Sequence, residues 1–309
     1  TAAEESGLTP IDTKFLKEAE GIGQWQTLKS ELGVMAFVTE LLPDEILTTP
    51  DKGTIQYHPS LLPLHRGSSA MNWPIIFGEK ETGLTVFWPD KGMDTGPILL
   101  QKTCPIKPDE TLGSLYFDHL FPMGIDAMSE AVSLVENGTA QSVEQDHNHS
   151  TYEPPCGESH ARIQWYNPAP QVYDQIRGCN PQPGAWTTFK GNKMGIFDCE
   201  YIETLESGMP GRLLRIEEDG ILVRLNGGSI KIKRVQPEGE RKISASDWAN
   251  QENIKVILEN IAKLKLLKET GLIVLHRHKK TIDDFGNEFT ISRSAKYGIS
   301  KIIFLKKIN

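Results

Sequence analysis

The sequence predicts an α/β domain, followed by a small β-barrel and a short basic α+β tail. Three observations support this prediction. Up to about residue 138, short apolar runs alternate with segments of helical periodicity, which is typical of an α/β layer. Between about residues 161 and 245, short strand-like runs are separated by Gly-rich turns, as in a small barrel. After residue 252 the composition of the chain changes sharply.

The first region is predicted to contain four strands. The apolar run GVMAFV is typical of a buried strand in a parallel sheet. Asp109 is predicted to cap a helix, and a further helix with apolar residues at helical spacing ends at Gly138. In chain order, the predicted elements are a helix or helix pair at 13–32, a strand at 33–38, a short helix within 40–50, a strand at 53–58, a helix from 68 or 69 to 77, strands at 83–88 and 98–102, and two further helices, the second of which ends at Gly138.

The remaining chain is divided by composition. Residues 139–160 are polar and contain a Pro-Pro pair, so a linker is predicted over 141–160. The predicted domains are therefore 1–140, a barrel at 161–245 and a separate C-terminal unit at 253–309. Barrel strands are predicted within KMGIFDCE, GRLLRIEEDG, ILVRLNGGS and IKIKRVQPEG; in the tail, a helix is predicted at 253–268 and strands at 271–280 and 295–307.

The net charge of −8 is unevenly distributed. Residues 253–309 carry 12 Lys or Arg against 5 Asp or Glu, a net charge of +7, which leaves −15 on residues 1–252. The tail holds none of the 19 prolines, and Ile and Lys supply 20 of its 57 residues. A basic tail can bind RNA phosphates, but a solvated charged face is the more common interpretation.

Composition argues against several classes of protein. No run of 18 apolar residues is present, so no transmembrane helix is predicted. The acidic N-terminus lacks a basic segment and an apolar segment, so no signal peptide is predicted. Four scattered cysteines without CxxC spacing indicate reduced thiols and a cytoplasmic protein. His147 with His149, and His276 with His278, lack further ligands at suitable spacing, so no metal is predicted.

The strongest candidate site follows the second predicted strand. In TIQYH the side chains alternate, so Gln56 and His58 lie on the same face. Asp90 and Asp94 follow the next strand in a Gly-containing turn. If the two loops are neighbours, a carboxylate can accept a hydrogen bond from His58, and such a pair with an amide donor suits acyl or formyl transfer. On spacing alone, a packed histidine beside a turn is the more common interpretation.

A longer motif around His58 resembles a known family. QYHPSLLPLHRG, followed 36 residues after His58 by Asp94 in MDTGPILLQK, is similar to the signature of the 10-formyltetrahydrofolate-dependent formyltransferases. They include methionyl-tRNA formyltransferase, glycinamide ribonucleotide formyltransferase and the hydrolase domain of 10-formyltetrahydrofolate dehydrogenase. The resemblance covers about residues 20–240. LYFDHLFPMGI is most similar to the hydrolase domain, and WYNPAPQVYDQIRGCNPQPGAWT to the start of the C-terminal domain.

The resemblance implies a Rossmann-like open sheet, an OB-like barrel and a set of site residues. His58 would be the general acid/base and oxyanion partner, Asp94 its carboxylate and Gln56 the amide donor. The implied formyl donor is 10-formyltetrahydrofolate, without a metal. The implied folate-binding residues are Ser60, Leu61, Leu62, Pro63, Glu40, Leu41, Leu42, Phe37 and Met35.

Three features depart from the family pattern. Gln56 stands where the transferases have Asn, so its amide lies one methylene further out. Leu64 stands where a basic residue is common. The family opens with a strand, a Gly-containing turn, a helix and a second strand before the equivalent of GVMAFV, so an N-terminally truncated catalytic domain is expected.

The tail resembles a different family. ILENIAKLKLLKETGLIVLHRHKK and SRSAKYGISKIIFLKK are similar to the last helix, strand and closing β-hairpin of bacterial 16S rRNA guanine-N2 methyltransferases. The S-adenosylmethionine loop and the Asn/Asp-Pro-Pro-Tyr motif of that family are absent from the sequence. No methyl transfer is therefore predicted.

The leading functional hypothesis is transfer of a formyl group from 10-formyltetrahydrofolate to an amine, above all the α-amine of methionyl-tRNA, given the OB-like second domain. Hydrolysis, with water as the acceptor, and transfer to a sugar amine are the alternatives among enzymes. An inactive folate-binding or RNA-binding module, or an inactive truncated fusion product, is the alternative outside enzymes. No membrane partner is expected.

Overall fold

The computed structural model describes residues 2–8, 15–38, 41–204, 206–268, 271–279, 281 and 283–308. The chain falls into two compact units, residues 1–163 with 174–185 and residues 164–173 with 186–309. Across the described ranges, no helix is long and apolar enough to cross a membrane.

The first unit is built on one four-stranded sheet. Its strands, in the order in which they pair, are β1 (Gly33–Met35), β2 (Thr54–His58), β3 (Glu81–Phe87) and β4 (Ile98–Pro105). β1 runs parallel to β2, whereas β3 is antiparallel to both β2 and β4. The helices are α1 (Ala2–Glu5), α2 (Ala19–Thr27), α3 (Asp44–Thr48), α4 (Asn72–Ile76), α5 (Leu112–Ser114), α6 (Phe121–Glu136) and α7 (Glu158–Ala161), with a π-helical segment at Leu115–Leu120 and 3₁₀ turns at Phe15–Lys17 and His147–His149.

The main core of this unit lies between the sheet and α6. Because strand side chains alternate, Ile55 and Tyr57 of β2 face this core, and the residues between and after them face away from it. The buried members of the core are Ile55, Tyr57, Leu84, Val86, Leu99, Ala127, Ala131 and Val135. A second apolar cluster joins α4, the end of β4 and the π-helical segment. The alternation therefore directs Gln56 and His58 away from the main core.

The structure corrects three predictions for this unit. The sheet is mixed rather than a Rossmann-like parallel sheet, since only β1 and β2 are parallel. Thr111, not Asp109, caps the helix, because its side chain accepts a hydrogen bond from the Ser114 N–H in a capping box. The helix or helix pair predicted at 13–32 is observed as the 3₁₀ turn Phe15–Lys17 and α2, which ends at Thr27 rather than near Gly33; the predicted start at residue 13 lies outside the described residues.

The second unit contains a six-stranded antiparallel sheet. Its strands are β5 (Trp186–Phe189), β6 (Asn192–Ile202), β7 (Leu213–Glu217), β8 (Gly220–Leu225), β9 (Gly228–Pro237) and β10 (Ile243–Ser244). They pair in the order β5-β6-β9-β8-β7, and β10 pairs with β9. α8 (Ala169–Gly178) contributes residues to both units. The predicted closed OB-like barrel is not observed: within the described residues, β5 and β7 remain the two open edges of the sheet.

The tail forms a small α+β layer within the second unit. α9 (Ala245–Lys263) is followed by β11 (Ile273–His278), β12 (Phe289–Tyr297) and β13 (Ser300–Lys307), which pair in the order β11-β13-β12. The single strand predicted at 295–307 is a hairpin, because the chain reverses at Gly298, whose φ of +54° suits a residue without a side chain. Leu258 of α9 packs with Phe289, Ile303 and Leu305 in the core of this layer.

Candidate active site

His58 is the last residue of β2 and is 5% exposed. Its Nε2 lies 2.9 Å from the backbone carbonyl oxygen of His65. A carbonyl oxygen can only accept a hydrogen bond, so Nε2 must carry the proton and donate it. In the neutral ring, the other nitrogen, Nδ1, is therefore free of a proton.

Asp94 lies on the Nδ1 side of His58. The Asp94 Oδ1 atom is 3.6 Å from His58 Nδ1, and Asp94 Oδ2 accepts a hydrogen bond of 2.8 Å from the Gly67 N–H. The Gln145 side chain donates to the Asp94 carbonyl oxygen at 3.0 Å. The carboxylate is thus held beside the imidazole, close enough to stabilise a positive charge but slightly beyond direct hydrogen-bond distance.

The chain brings Asp94 to His58 by a route that the sequence did not indicate. The sequence analysis considered the two loops as possible neighbours because each follows a predicted strand, and ligand sites gather where parallel strands end. β3 is antiparallel to β2, however, so β3 ends beside the start of β2, where the Trp88 ring packs against Gly53. Residues 88–97 then return to the other end of β2. Gly96, in this segment, lies so close to the Trp88 carbonyl oxygen that a side chain at position 96 would collide with that oxygen.

The surroundings favour the neutral form of His58. Burial lowers the pKa of His58 below 6.5, because a charged ring loses its hydration. The Asp94 charge and the hydrogen bond to the His65 carbonyl oppose this change, while the positive charges of His65 and Arg66 reinforce it. The net direction is downward, so His58 is a neutral imidazole near pH 7.

A cavity of about 340 Å³ opens onto His58 and Asp94. Gln56 lines it too, two residues before His58, and the Gln56 side chain forms no hydrogen bond with any other residue that the structure describes. One wall is apolar and includes Met35, Leu47 and Met71. The predicted catalytic residues Gln56, His58 and Asp94 thus meet at one cavity.

The residues expected to bind folate fall into three groups. Met35, Phe37, Leu41 and Leu42 line the cavity. Glu40 lies outside the described residues. Ser60, Leu61, Leu62 and Pro63 do not line it.

These four residues face the sheet instead, and their contacts explain the difference. The Leu62 N–H donates to Thr85 Oγ1 at 3.0 Å, and the Leu62 carbonyl accepts from the Gln101 side chain at 2.8 Å. Thr85 Oγ1 also donates to the Ser60 carbonyl oxygen at 2.7 Å. Thr85 and Gln101 therefore anchor the backbone of Ser60 and Leu62 onto β3 and β4, whereas Pro59 lines the cavity.

Residues 143–156, which the sequence predicted as linker, hold the same loop from the other side. The buried guanidinium of Arg66 donates to the Tyr152 hydroxyl at 2.8 Å and to Gln145 Oε1 at 2.6 Å. The Thr151 side chain accepts from the His65 N–H at 2.8 Å. The polar composition predicted a solvated linker here. Its side chains instead accept hydrogen bonds from buried donors of the loop. The sequence shows no periodic pattern that would indicate such contacts.

Among the described residues, no group of three or more His, Cys, Asp or Glu side chains is placed to hold a metal ion. His149 instead contacts Asp146 at 2.7 Å, and His147 Nδ1 lies 3.0 Å from the Arg66 guanidinium. At the cavity, the imidazole of His58 lies with the carboxylate of Asp94 and the amide of Gln56. A buried neutral base, a carboxylate that stabilises its charged form and a free amide donor define an acid–base site suited to acyl-group transfer.

The chain belongs to the formyl transferase family. The family model described as "Formyl transferase" matches residues 2–132, and that of "Formyl transferase, C-terminal domain" matches residues 157–253. A methionyl-tRNA formyltransferase from Acetivibrio thermocellus is 35% identical over 245 residues, which cover 79% of this chain and 78% of that protein. The family resemblance inferred from the motif around His58 is confirmed.

Other curated relatives are longer proteins. The mitochondrial 10-formyltetrahydrofolate dehydrogenase of Mus musculus is 35% identical over 257 residues, 81% of this chain and 28% of that protein. The cytosolic 10-formyltetrahydrofolate dehydrogenase of Mus musculus is 45% identical over 179 residues, 58% of this chain and 20% of that protein. The chain thus spans less than a third of the length of these dehydrogenases.

Solved structures share the fold. HypX from Aquifex aeolicus, in complex with tetrahydrofolic acid, aligns with a TM-score of 0.63 and 21% identity over 77% of this chain and 42% of that one. WlaRD, a sugar 3N-formyl transferase, aligns with a TM-score of 0.56 and 17% identity over 77% of this chain and 81% of that one. At such identities the likeness concerns the fold alone.

Proposed function

We propose that this chain transfers a formyl group from 10-formyltetrahydrofolate to an amine, and that the amine is the α-amine of methionyl-tRNA. One observation carries the proposal: the proton-free Nδ1 of His58 faces the cavity beside Asp94, and Gln56 lines the same cavity. The acceptor rests on a weaker argument. The chain is 35% identical over 245 residues to the methionyl-tRNA formyltransferase of Acetivibrio thermocellus.

The cavity fits a folate in size and chemistry. Its volume of about 340 Å³ lies within the range of small-molecule sites. Met35, Phe37 and Leu42 offer an apolar surface to an aromatic ring, and Gln56, His58 and Asp94 line the same cavity. 10-Formyltetrahydrofolate would supply the formyl group beside these three residues.

The residues act on the acceptor amine and on the formyl oxygen. His58 Nδ1 accepts the proton that the amine loses as it bonds to the formyl carbon, and Asp94 stabilises the resulting imidazolium. The Gln56 amide donates to the formyl oxygen as that oxygen gains negative charge. His58 then returns the proton to the departing folate nitrogen, which restores the neutral ring and leaves a formylated amine.

The acceptor is tested by mixing the protein with 10-formyltetrahydrofolate, with and without charged initiator methionyl-tRNA, and measuring tetrahydrofolate. Release that requires the tRNA is the expected result. Equal release of tetrahydrofolate without the tRNA would show that water is the acceptor. The 45% identity to the cytosolic mouse dehydrogenase favours this alternative. No release in either case, from protein with a cooperative melting transition, would contradict both forms of the proposal.

We also propose that residues 253–309 are a separate unit with the origin indicated by their resemblance to a guanine-N2 methyltransferase. The family models end at residue 253, and among the described strands β11, β12 and β13 form a sheet of their own; α9 begins at Ala245 and extends across the boundary. Sequencing the source DNA across residues 245–260 tests this origin. We expect a junction between two genes in that stretch, and a single uninterrupted gene there would contradict a fused product.

A further inference from the structure

A second histidine, His65, ends the loop that begins at His58. It is 5% exposed and has a φ of +54°, a backbone conformation that a side chain disfavours. The sequence argument gave His65 no role. A buried, titratable residue in a strained conformation beside a catalytic group requires an explanation.

The backbone of His65 is fixed by contacts on both sides. Its N–H donates to Thr151 Oγ1 at 2.8 Å, and its carbonyl accepts from His58 Nε2 at 2.9 Å. This carbonyl therefore lies beside the first residue of the loop. The same carbonyl therefore determines which nitrogen of His58 carries the proton.

The side chain of His65 lies between two carboxylates. Its Nε2 is 3.0 Å from Glu79 Oε1, and its Nδ1 is 3.2 Å from Glu153 Oε2. The contact with Glu79 is a hydrogen bond, whereas Nδ1 and Glu153 Oε2 pair by charge without an aligned hydrogen bond. A ring with both nitrogens facing carboxylates is most stable as the imidazolium.

The two imidazoles are electrostatically linked. Burial alone would lower the pKa of His65, but the hydrogen bond and charge of Glu79 and the charge of Glu153 outweigh it and raise the pKa above 6.5. The resulting positive charge in turn disfavours a proton on His58. The charged groups that act on His58 are Asp94, His65 and Arg66; those that act on His65 are Glu79 and Glu153.

We propose that His65 is a positioning residue for His58: its carbonyl fixes the proton on His58 Nε2, and its cationic ring, held by Glu79 and Glu153, keeps His58 Nδ1 free to accept the acceptor's proton. The catalytic part of this statement rests on the function proposed above. The placement of the protons does not, and it can be measured in the absence of turnover.

The proton positions are tested by nuclear magnetic resonance of the ¹⁵N-histidine-labelled full chain as a function of pH. His58→Gln and His65→Phe assign the two sets of signals. We expect His58 to be neutral at pH 6.5 with its proton on Nε2, and His65 to be charged at the same pH. A neutral His65, or a neutral His58 with its proton on Nδ1, would overturn the proposal even if the protein has no activity.

The electrostatic link is tested in His65→Phe, which keeps a ring but removes the charge. The pKa of His58 should rise by about half a pH unit or more, because a neighbouring positive charge is lost and two carboxylates lose their partner. The acid limb of kcat/KM should shift to higher pH by the same amount, with kcat falling more than KM rises. An unshifted limb and an unshifted His58 pKa in folded protein would leave His65 a purely structural role.

Glu79→Gln provides a milder variant should His65→Phe fail to fold, since the Glu79 side chain is 37% exposed. It should lower the pKa of His65 and leave the proton of neutral His58 on Nε2. A pKa of His65 equal to that of the wild type would contradict the assigned ion pair. Glu130→Gln, which removes an exposed carboxylate paired with Lys102, is the matched control and should leave both histidines unchanged.

Discussion

The two ends of the loop 58–66 place equally buried histidines in opposite surroundings. His58 meets one carboxylate at 3.6 Å, and burial lowers its pKa. His65 meets two carboxylates within 3.2 Å, and they raise its pKa in spite of burial. Each residue is 5% exposed. Burial alone therefore does not decide protonation; the number and distance of the charged partners do.

The largest expected effect comes from removing the neutral histidine. His58→Gln should lower kcat/KM for formyl transfer by about 10²–10⁴-fold, the range that a positioned acid–base group contributes. The measurement is tetrahydrofolate release in the presence of methionyl-tRNA, or in water if water is the acceptor. His149→Gln, at an exposed histidine outside the cavity, should retain wild-type activity. A His58→Gln protein with more than about a tenth of the wild-type rate would contradict the role of His58.

A second substitution tests whether Asp94 and His65 shift the pKa of His58 in opposite directions. Asp94→Asn keeps an acceptor for the Gly67 N–H but removes the charge beside His58 Nδ1. Activity should fall on the order of 10²-fold. The pKa of His58 should drop below its wild-type value, because the negative charge that favours the protonated ring is lost. The acid limb of kcat/KM should therefore move to lower pH, the opposite of its shift in His65→Phe. Asp126→Asn, on the exposed side of α6, is the control. A limb that moves upward in Asp94→Asn would show that Asp94 does not act on His58 through its charge.

The support from residues 143–156 should be measurable as stability. Gln145→Leu removes hydrogen bonds to the Asp94 and Gly96 carbonyl oxygens and leaves Arg66 without one of its acceptors. The first unit should lose about 1–3 kcal/mol of unfolding free energy, seen as faster hydrogen exchange of amides in β2 and the loop. Gln141→Leu, whose side chain is exposed, should change little. Equal exchange rates in the two variants would contradict a buttressing role.

The smallest effect is the pH dependence of stability, which should have opposite signs at the two histidines. Because the folded pKa of His58 lies below 6.5, its contribution is present above pH 6.5 and is lost as the pH falls towards the folded pKa. Because the folded pKa of His65 lies above 6.5, its contribution is present below pH 6.5 and is lost as the pH rises through the folded pKa. Each contribution to the unfolding free energy is about 1.4 kcal/mol for every unit by which the folded pKa differs from the unfolded pKa. Melting temperatures of His58→Gln and His65→Phe from pH 5 to 9, compared with the wild type, measure both; slopes of the same sign would contradict the comparison.

Local features of the site could be predicted from the sequence, but its assembly could not. Strand alternation placed Gln56 and His58 on one face, and the motif spacing selected Asp94. The direction of β3 was not encoded in any local pattern, so the route of residues 88–97 was missed. The same holds for His65. Its charge depends on Glu79 and on Glu153, and Glu153 lies 88 residues along the chain from it.

Errors elsewhere have a similar origin. Gly-rich turns between short strands predicted a barrel, but closure depends on pairing between distant strands, and the described sheet has two open edges. Residues 295–307 contain several β-branched and aromatic residues on both sides of Gly298, so the single glycine at the turn was overlooked. The folate positions Ser60 to Pro63 followed from the family motif and stay a prediction; in the structure, Thr85 and Gln101 bind the backbone of Ser60 and Leu62.

The contacts of residues 143–156 with the loop 58–66 determine which fragments of the chain can be assayed. A fragment ending at residue 140 would contain every proposed catalytic side chain, yet it would lack the acceptors of Arg66 and the second carboxylate of His65. Asn72 in α4 also donates to the Gly178 and Gln182 carbonyl oxygens. The shortest expression fragment worth assaying for this chemistry therefore extends through residue 185, and inactivity of any shorter piece would say nothing about the chemistry of His58.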